Sequence, residues 1–93
     1  MRLDSIIQSE KKCFVCGTTY DLHDHHVFGA SNRKHSEKWG LKIWLCARHH
    51  NMSDEGIHFN KDLNLAVKQI AQRKFEEEHT HEEFMSIFGR NYL

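Results

Sequence analysis

Clustered histidines are the first feature of this chain whose residue types and spacing could do chemistry. The segment YDLHDHHVFG, residues 20–29, holds three histidines and two aspartates, and the whole chain has nine histidines. Histidine is the commonest metal ligand in proteins and the side chain best suited to moving a proton near neutral pH. The segment therefore indicates a metal site, a proton-transfer site, or both.

A second set of metal-ligand residues occurs as two pairs with the same internal gap. Cys13 and Cys16 form the sequence CFVC, and Cys46 and His49 form CARH further along the chain. A two-residue gap lets a tight turn bring both donors to one side of an ion, so two such pairs complete a tetrahedron around zinc. The alternative is a Cys13–Cys16 redox pair, but no thioredoxin-like strand–helix–strand pattern follows the motif. The spacing predicts a closed, structural zinc site of Cys13, Cys16, Cys46 and His49.

Several further donors remain once this zinc site is assigned. They are His23, Asp24, His25, His26, His50 and His58. A catalytic metal needs two or three protein donors and an open position for water or substrate. Neighbouring residues of a strand point to opposite faces, so His25 and His26 need not share one role. His23 is expected to be a supporting or an exposed residue, and Asp24 to orient an imidazole or cap a turn. The alternative for His25, His26 and His50 is a structural zinc module with incidental histidines.

Length and composition limit what can position these groups. The chain of 93 residues fits one domain, and its 39% hydrophobic content allows only a small core, which a metal often reinforces. No apolar run is long enough to span a membrane, and MRLDSIIQSEKK has neither the apolar stretch nor the cleavage site of a secretory signal. We therefore expect a cytoplasmic protein with no membrane partner.

The charge balance argues against a strongly basic nucleic-acid binder. Lys plus Arg and Asp plus Glu both number 13, so the formal net charge is zero. The segment SNRKHSEKWGLK is locally basic, with four Lys and Arg residues, and reads either as a solvated loop or as a phosphate-binding face. Arg33 within it is a candidate phosphate clamp, because a guanidinium grips phosphate in two places; the alternative is an ordinary surface arginine.

Hydrophobic patterning predicts the elements that must position these residues. LHDHHVFG and LKIWLC, residues 41–46, are predicted strands, and the segment from Gly29 to Gly40 is predicted as a loop with room for one helical turn. From about Asp62, apolar residues recur at helical spacing, namely Leu63, Val67, Ile70 and Phe75. Thr80 and Glu83 have capping-box spacing and predict a second helix that ends near Gly89. An aromatic stripe is predicted to enter the core: Phe75, Phe84 and Phe88.

Taken together, CFVCG, LHDHHVFG and LCARHH, followed by His58, resemble the HNH endonucleases of the ββα-metal type. The resemblance is to the subgroup whose hairpin is stapled by a CxxC…CxxC/H zinc, and it covers about residues 13–60. The closing FGRNYL resembles small HNH proteins encoded by bacteriophages. The fold implied is α+β: a ββα-metal hairpin-helix core stapled by zinc, within a single domain of residues 1–93. Residues 1–12 form a lead-in, and residues 61–93 add C-terminal helices.

The resemblance implies a metal-dependent DNA endonuclease or nickase and a role for each site residue. His26 corresponds to the general base that activates water. His25, His50 and His58 correspond to the ligands of a divalent ion (Mg²⁺, Mn²⁺, Ni²⁺ or Zn²⁺) that stabilises transition-state charge and the leaving 3′ oxygen. The family's middle asparagine falls on Leu41 here, so its structural role is absent or taken by one of Asn32, Asn51 and Asn60.

DNA is the partner that this resemblance implies. Because the net charge is zero, the basic loop and partner proteins of phage packaging or recombination would supply further affinity. A phage-encoded protein would act in the cytoplasm of the bacterial host. Two alternatives stay open: a non-catalytic zinc-stapled DNA-binding or recombination-accessory module, and a zinc-organised protein-interaction domain built around the C-terminal helices.

Overall fold

A computed structural model describes residues 5–52 and 56–93, except for the side chains of residues 51 and 52. The regular elements are, in order, β1 (Leu22–His26), α1 (Arg33–Trp39), β2 (Lys42–Cys46), α2 (Lys61–Glu78) and α3 (His81–Phe88). A 3-10 turn, Ala30–Asn32, leads into α1, and a π-helical turn, Arg48–Met52, follows β2. The protein is a small mixed α+β structure, so the α+β class predicted from the sequence is confirmed.

The two strands pair antiparallel and fix the positions of the histidines on β1. His25 lies opposite Ile43, and His26 lies opposite Lys42. Leu41, Ile43 and Leu45 are fully buried, and a slip of one residue would turn them away from the core. The burial of this side of β2 therefore sets the register that places His25 and His26.

The segment between the strands is where the sequence-based prediction is wrong. It is predicted as a loop with room for one helical turn, whereas Arg33–Trp39 forms the seven-residue helix α1. The helix is held by the fully buried Ser36, whose hydroxyl accepts from the Phe28 N–H at 3.0 Å and donates to the Phe28 carbonyl at 2.8 Å. Gly40, at φ 69°, ends the helix in the left-handed conformation that glycine adopts without strain. These contacts are tertiary, so the local pattern of polar residues did not reveal the helix.

Both C-terminal helices begin at side-chain caps. The Asn60 side chain accepts a hydrogen bond from the Leu63 N–H at the start of α2. Thr80 and Glu83 form the capping box predicted for α3, and Gly89 ends that helix at φ 77°. The predicted start of α2 and the predicted start and end of α3 are therefore confirmed to within a residue.

The core joins these helices to the hairpin through aromatic contacts. Phe75, Phe84 and Phe88 are buried, as predicted. The ring centroid of Phe28, just beyond β1, lies 5.6 Å from that of Phe84 and 4.7 Å from that of Phe88. The C-terminal helices thus pack against the segment that follows the histidine-bearing strand. Within residues 5–52 and 56–93, no helix is both long and apolar enough to cross a membrane.

Candidate functional site

The turn that carries the first cysteine pair is closed by its own backbone. The Cys13 N–H donates to the Thr18 carbonyl, and the Gly17 N–H donates to the Cys13 carbonyl, both at 2.8 Å. Gly17 has a φ of 78°, a conformation that a residue without Cβ adopts readily. This tight turn directs Cys13 and Cys16 to the same side, as the two-residue gap predicts.

The same turn is attached to β2, which supplies the second pair. The Phe14 N–H donates to the Trp44 carbonyl at 2.8 Å. Cys46 is the last residue of β2, and His49 lies in the π-helical turn that follows. The attachment brings the CxxC turn and the CxxH segment into one place, although they are far apart in the sequence.

The four predicted zinc ligands form the first cluster, which we call the cysteine cluster: Cys13, Cys16, Cys46 and His49. Their ligand atoms all lie within 4.8 Å of one another, so they could hold a metal ion. The two sulfurs of Cys16 and Cys46 are 3.8 Å apart, and the Cys13 sulfur is 3.7 Å from His49 Nδ1. A tetrahedral zinc site with ordinary bond lengths places two sulfurs about 3.8 Å apart and a sulfur and a nitrogen about 3.6 Å apart. These two spacings fit a closed tetrahedral ion, while the Cys46 sulfur lies closer to His49 Nδ1, at 3.2 Å.

The pKa values of two thiols in the cysteine cluster, Cys13 and Cys46, are shifted in opposite directions. Burial opposes ionisation of Cys13, but backbone hydrogen bonds from Cys46, Cys16 and Val15 outweigh it and lower the pKa of this thiol to about 6. Burial raises the pKa of the Cys46 thiol, and the neighbouring thiols of Cys13 and Cys16 raise it further. Zinc binds the thiolate form, so metal binding would release a proton from Cys46.

A second cluster, which we call the histidine cluster, comprises His25 on β1, His50 in the π-helical turn and His58. One ring nitrogen of each lies within 4.8 Å of the others. The Ile57 N–H donates to the His49 carbonyl at 2.7 Å, and the His58 N–H approaches the His50 carbonyl at 3.4 Å. These contacts bring His58 back across its long spacer, so that its Nε2 lies 3.0 Å from Nε2 of His50.

His25 forms the buried floor of the histidine cluster. It is 7% exposed, and its Nε2 has no hydrogen-bond partner among the described residues. Burial lowers the pKa of His25 to about 3, and the adjacent His50 and His58 rings contribute to the shift. The imidazole is therefore neutral at physiological pH, which is the form that binds a metal ion.

The other two members leave the histidine cluster accessible from one side. His50 is half-buried and His58 is exposed. Burial lowers the pKa of His50, and the charges of His58 and His23 lower it further. Three imidazoles, one of which is exposed, match the donor set of a catalytic ion, which keeps positions for water or substrate.

His23 contacts the histidine cluster from behind. Its Nδ1 lies 2.8 Å from Nδ1 of His50, while Nε2 of His50 faces His58. A metal on Nε2 of His50 would leave the proton on Nδ1, which would then donate to His23. This arrangement is the supporting role expected for His23, because an acceptor on the far nitrogen fixes the tautomer and orientation of a ligand.

His26, the predicted general base, emerges from the opposite face of β1 and has different neighbours. Its Nε2 lies 3.6 Å from one carboxylate oxygen of Glu37. The other oxygen of Glu37 accepts a hydrogen bond from Lys42, whose side chain is fully buried. That bond holds the pKa of the Glu37 carboxyl below its usual range. Lys42 also lies 3.8 Å from a carboxylate oxygen of Asp24.

Arg33 lies beside His26 in the structure. Both residues line a surface groove of about 450 Å³ whose full lining is His26, Ala30, Ser31, Arg33, Lys34 and Glu37. The structure thus places the predicted phosphate clamp and the predicted base along one groove, together with Glu37 of α1. Arg33 is exposed and is the first residue of α1.

The position of the family's middle asparagine is occupied by a core residue. Leu41 is fully buried in the hydrophobic core. The Asn32 side chain donates to the Phe88 carbonyl at 3.2 Å, and Asn60 caps α2, so both have structural partners of their own. The side chain of Asn51 lies outside the described part of the chain.

Glu37 and Lys42 were not identified from the sequence as the charged pair beside His26. One signal was present, namely a lysine inside the otherwise apolar strand KIWLC, which requires a buried counter-charge.

Comparisons with protein-family models, with curated proteins and with solved structures find no match.

Proposed function

We propose that this protein is a metal-dependent DNA endonuclease or nickase of the HNH type. The observation that carries the proposal is His25, a buried imidazole whose Nε2 has no hydrogen-bond partner among the described residues and whose ring has a nitrogen within 4.8 Å of ring nitrogens of His50 and His58. An unsatisfied buried polar atom costs about 1–3 kcal/mol, and a shared metal ion would satisfy it. The pairing of consecutive histidines on β1, only one of which belongs to the cluster, supports a metal ligand beside a base.

The cysteine cluster is proposed as a structural zinc site. Its four protein donors complete a tetrahedron, so no position is left for substrate. It joins the CxxC turn to the end of β2 and to the π-helical turn, which carries His50 next to His49. The zinc would therefore hold one ligand of the histidine cluster in place.

The histidine cluster is proposed to hold the catalytic divalent ion on His25, His50 and His58. When bound, such an ion would stabilise the charge that develops on the scissile phosphate and on the leaving 3′ oxygen. The exposed side of His58 faces solvent and gives a DNA phosphate access to the cluster. With the ion on Nε2 of His50, His23 would accept the proton that stays on Nδ1 of His50.

His26 is proposed as the general base. Glu37 lies on the Nε2 side of the ring, so a proton on Nε2 points to the carboxylate and Nδ1 is left to take a proton from water. Lys42 holds Glu37 in place and in its ionised form. Glu37 and Lys42 then provide the support that the family draws from its middle asparagine. Arg33, in the same groove, would hold a neighbouring phosphate.

The test is cleavage of supercoiled plasmid with Mg²⁺, Mn²⁺ or Ni²⁺, comparing the wild type with His26→Ala. A general base contributes about 10²–10⁴-fold, so the variant should lose that much activity while retaining its zinc. His81→Ala is the matched control, because His81 lies on α3, pairs with Glu76 and belongs to neither cluster. Undiminished nicking by His26→Ala would reject the base, and no cleavage by the wild type with any metal would favour a non-catalytic DNA-binding module.

A further inference from the structure

A second groove opens directly beside the histidine cluster. Helix α2 contributes four residues spaced to lie along one helical face, and the C-terminal segment forms the opposite wall. The groove has a volume of about 550 Å³ and is lined by Ile57, His58, Lys61, Asn64, Leu65, Lys68, Arg90 and Tyr92. His58 belongs both to this groove and to the histidine cluster. Anything bound along the groove therefore reaches the proposed metal ligands.

The C-terminal wall of the groove is fixed to α2 by hydrogen bonds. Gln72 is fully buried; its amide donates to the Asn91 side chain, and its carbonyl accepts from the Tyr92 N–H, both at 2.8 Å. Gln69 donates to the Tyr92 carbonyl at 2.9 Å. Segment 90–92, part of the sequence FGRNYL, is thus held against the helix and keeps Arg90 and Tyr92 at the groove.

Three basic side chains lie together in this groove. The Lys68 ammonium lies 5.3 Å and the Arg90 guanidinium 5.2 Å from the centre of the Tyr92 ring. Burial lowers the pKa of Lys68, and the charge of Arg90 lowers it further. Among residues 5–52 and 56–93, no carboxylate forms an ion pair with Lys61, Lys68 or Arg90. Like charges gathered in this way favour an anionic ligand.

Two other grooves of the protein contain acidic as well as basic side chains. The groove beside Trp39 contains Lys38 and Lys74 but also Glu77 and Glu78. The groove beside His26 contains two cations and Glu37. In a chain whose net charge is zero, the part of this lining that the structure describes has three cations and no acid. Its charge is therefore not an overall property of the protein but a local one.

We propose that this groove binds the phosphate backbone of the DNA strand presented to the histidine cluster. Lys61, Lys68 and Arg90 are the phosphate-binding residues. Tyr92 holds the two inner cations against its ring and offers an apolar edge to the sugar. This inference rests on the proposed nuclease function. It gives the C-terminal segment a part in attracting DNA, which was assigned from the sequence to the basic loop that contains Arg33.

The experiment measures DNA affinity without cleavage. Zinc-loaded protein, with no added divalent ion, is titrated into a fluorescein-labelled DNA duplex, and anisotropy is followed over a range of salt concentrations. The double variant Lys68→Gln/Arg90→Gln should weaken binding by a factor on the order of ten at low salt, and the slope of log K against log salt should fall by about two. Lys61→Gln, which leaves the Tyr92 contacts untouched, should lower the slope by about one.

The matched control is Lys38→Gln/Lys74→Gln, which removes the same charge from the mixed groove and should leave the slope unchanged. An unchanged slope in both groove variants, or an equal loss in the control, would overturn the proposal. Failure of the groove proposal and failure of the nuclease proposal give different results. Plasmid nicking with unaltered DNA affinity in the groove variants would reject the groove alone. Salt-dependent binding through the groove without nicking would reject the nuclease alone.

Discussion

The cysteine cluster and the histidine cluster meet through the consecutive residues His49 and His50, and they differ in donor type and closure. The first has three sulfurs and one nitrogen, and Cys13 and Cys46 are buried. The second has three nitrogens, a buried floor at His25 and an exposed member at His58. Four donors that surround an ion stabilise a fold, whereas three donors with an accessible side leave room for reactants. The difference teaches that closure, rather than the number of histidines, separates the two roles.

The two clusters meet at the π-helical turn. His49 and His50 are consecutive residues, yet His49 faces the cysteine cluster and His50 faces the histidine cluster. Turns of this kind are rare and are frequently found at functional sites. A metal on His49 would therefore position His50, which makes the closed cluster a support for the open one.

The largest expected effect comes from breaking the closed cluster with Cys13→Ser. Zinc in a structural site of this kind contributes about 10–16 kcal/mol of apparent binding energy, so its loss exceeds the stability of a small domain. We expect the variant to lose zinc and its cooperative unfolding transition, measured by metal content and by circular dichroism on heating. His58→Ala, which removes a donor from the open cluster, should retain both. A Cys13→Ser protein that melts like the wild type would contradict the structural role.

An intermediate effect is expected from His23→Phe, which removes the contact behind His50. Loss of such a supporting hydrogen bond typically costs about 10–100-fold in metal affinity. We expect that decrease for Ni²⁺ binding to zinc-loaded protein, measured by isothermal titration calorimetry, with zinc content unchanged. His23→Gln keeps an acceptor and should recover part of the affinity. Equal affinities in His23→Phe and the wild type would remove His23 from the site.

The smallest effect is expected from Glu37→Gln, which touches neither cluster. Because the Lys42 hydrogen bond depresses the pKa of folded Glu37, its stabilisation is present above the unfolded pKa of about 4.3 and is lost as pH falls through the folded value. The Glu37 side chain is 44% exposed, and Asp24 remains 3.8 Å from the buried Lys42 ammonium as a counter-charge, so we expect a cost of about 1 kcal/mol at neutral pH. Urea unfolding of both proteins should show this difference at about pH 7 and a smaller one near about pH 4. A difference that stayed constant over this range would assign it to packing.

Local sequence signals predicted the parts of the fold that depend on short spacing. The CxxC and CxxH gaps gave the cysteine cluster, because each pair needs only one turn to converge. The Thr80–Glu83 box and Gly89 gave the limits of α3 for the same reason. Consecutive histidines on a strand predicted that His25 and His26 would have different neighbours, since strand residues alternate between faces.

The parts that were not predicted depend on contacts between distant residues. Helix α1 is fixed by Ser36 bonding the backbone of Phe28, which no local pattern reveals. The Glu37–Lys42 pair forms because α1 lies beside β2, and the lysine alone indicated that some counter-charge was needed. The cationic groove combines α2 with a C-terminal segment, so its charges are scattered in the sequence.

The most direct test of the account is a count of metal ions on the folded protein. Zinc-loaded wild type, titrated with Ni²⁺ and examined by native mass spectrometry, should retain one zinc and take up one further, more weakly held ion. His58→Ala should lose the second ion, and His26→Ala should keep it. A wild-type protein that binds zinc but no second ion would contradict the assignment of the histidine cluster. Binding of the second ion that is unchanged in His58→Ala would contradict it as well.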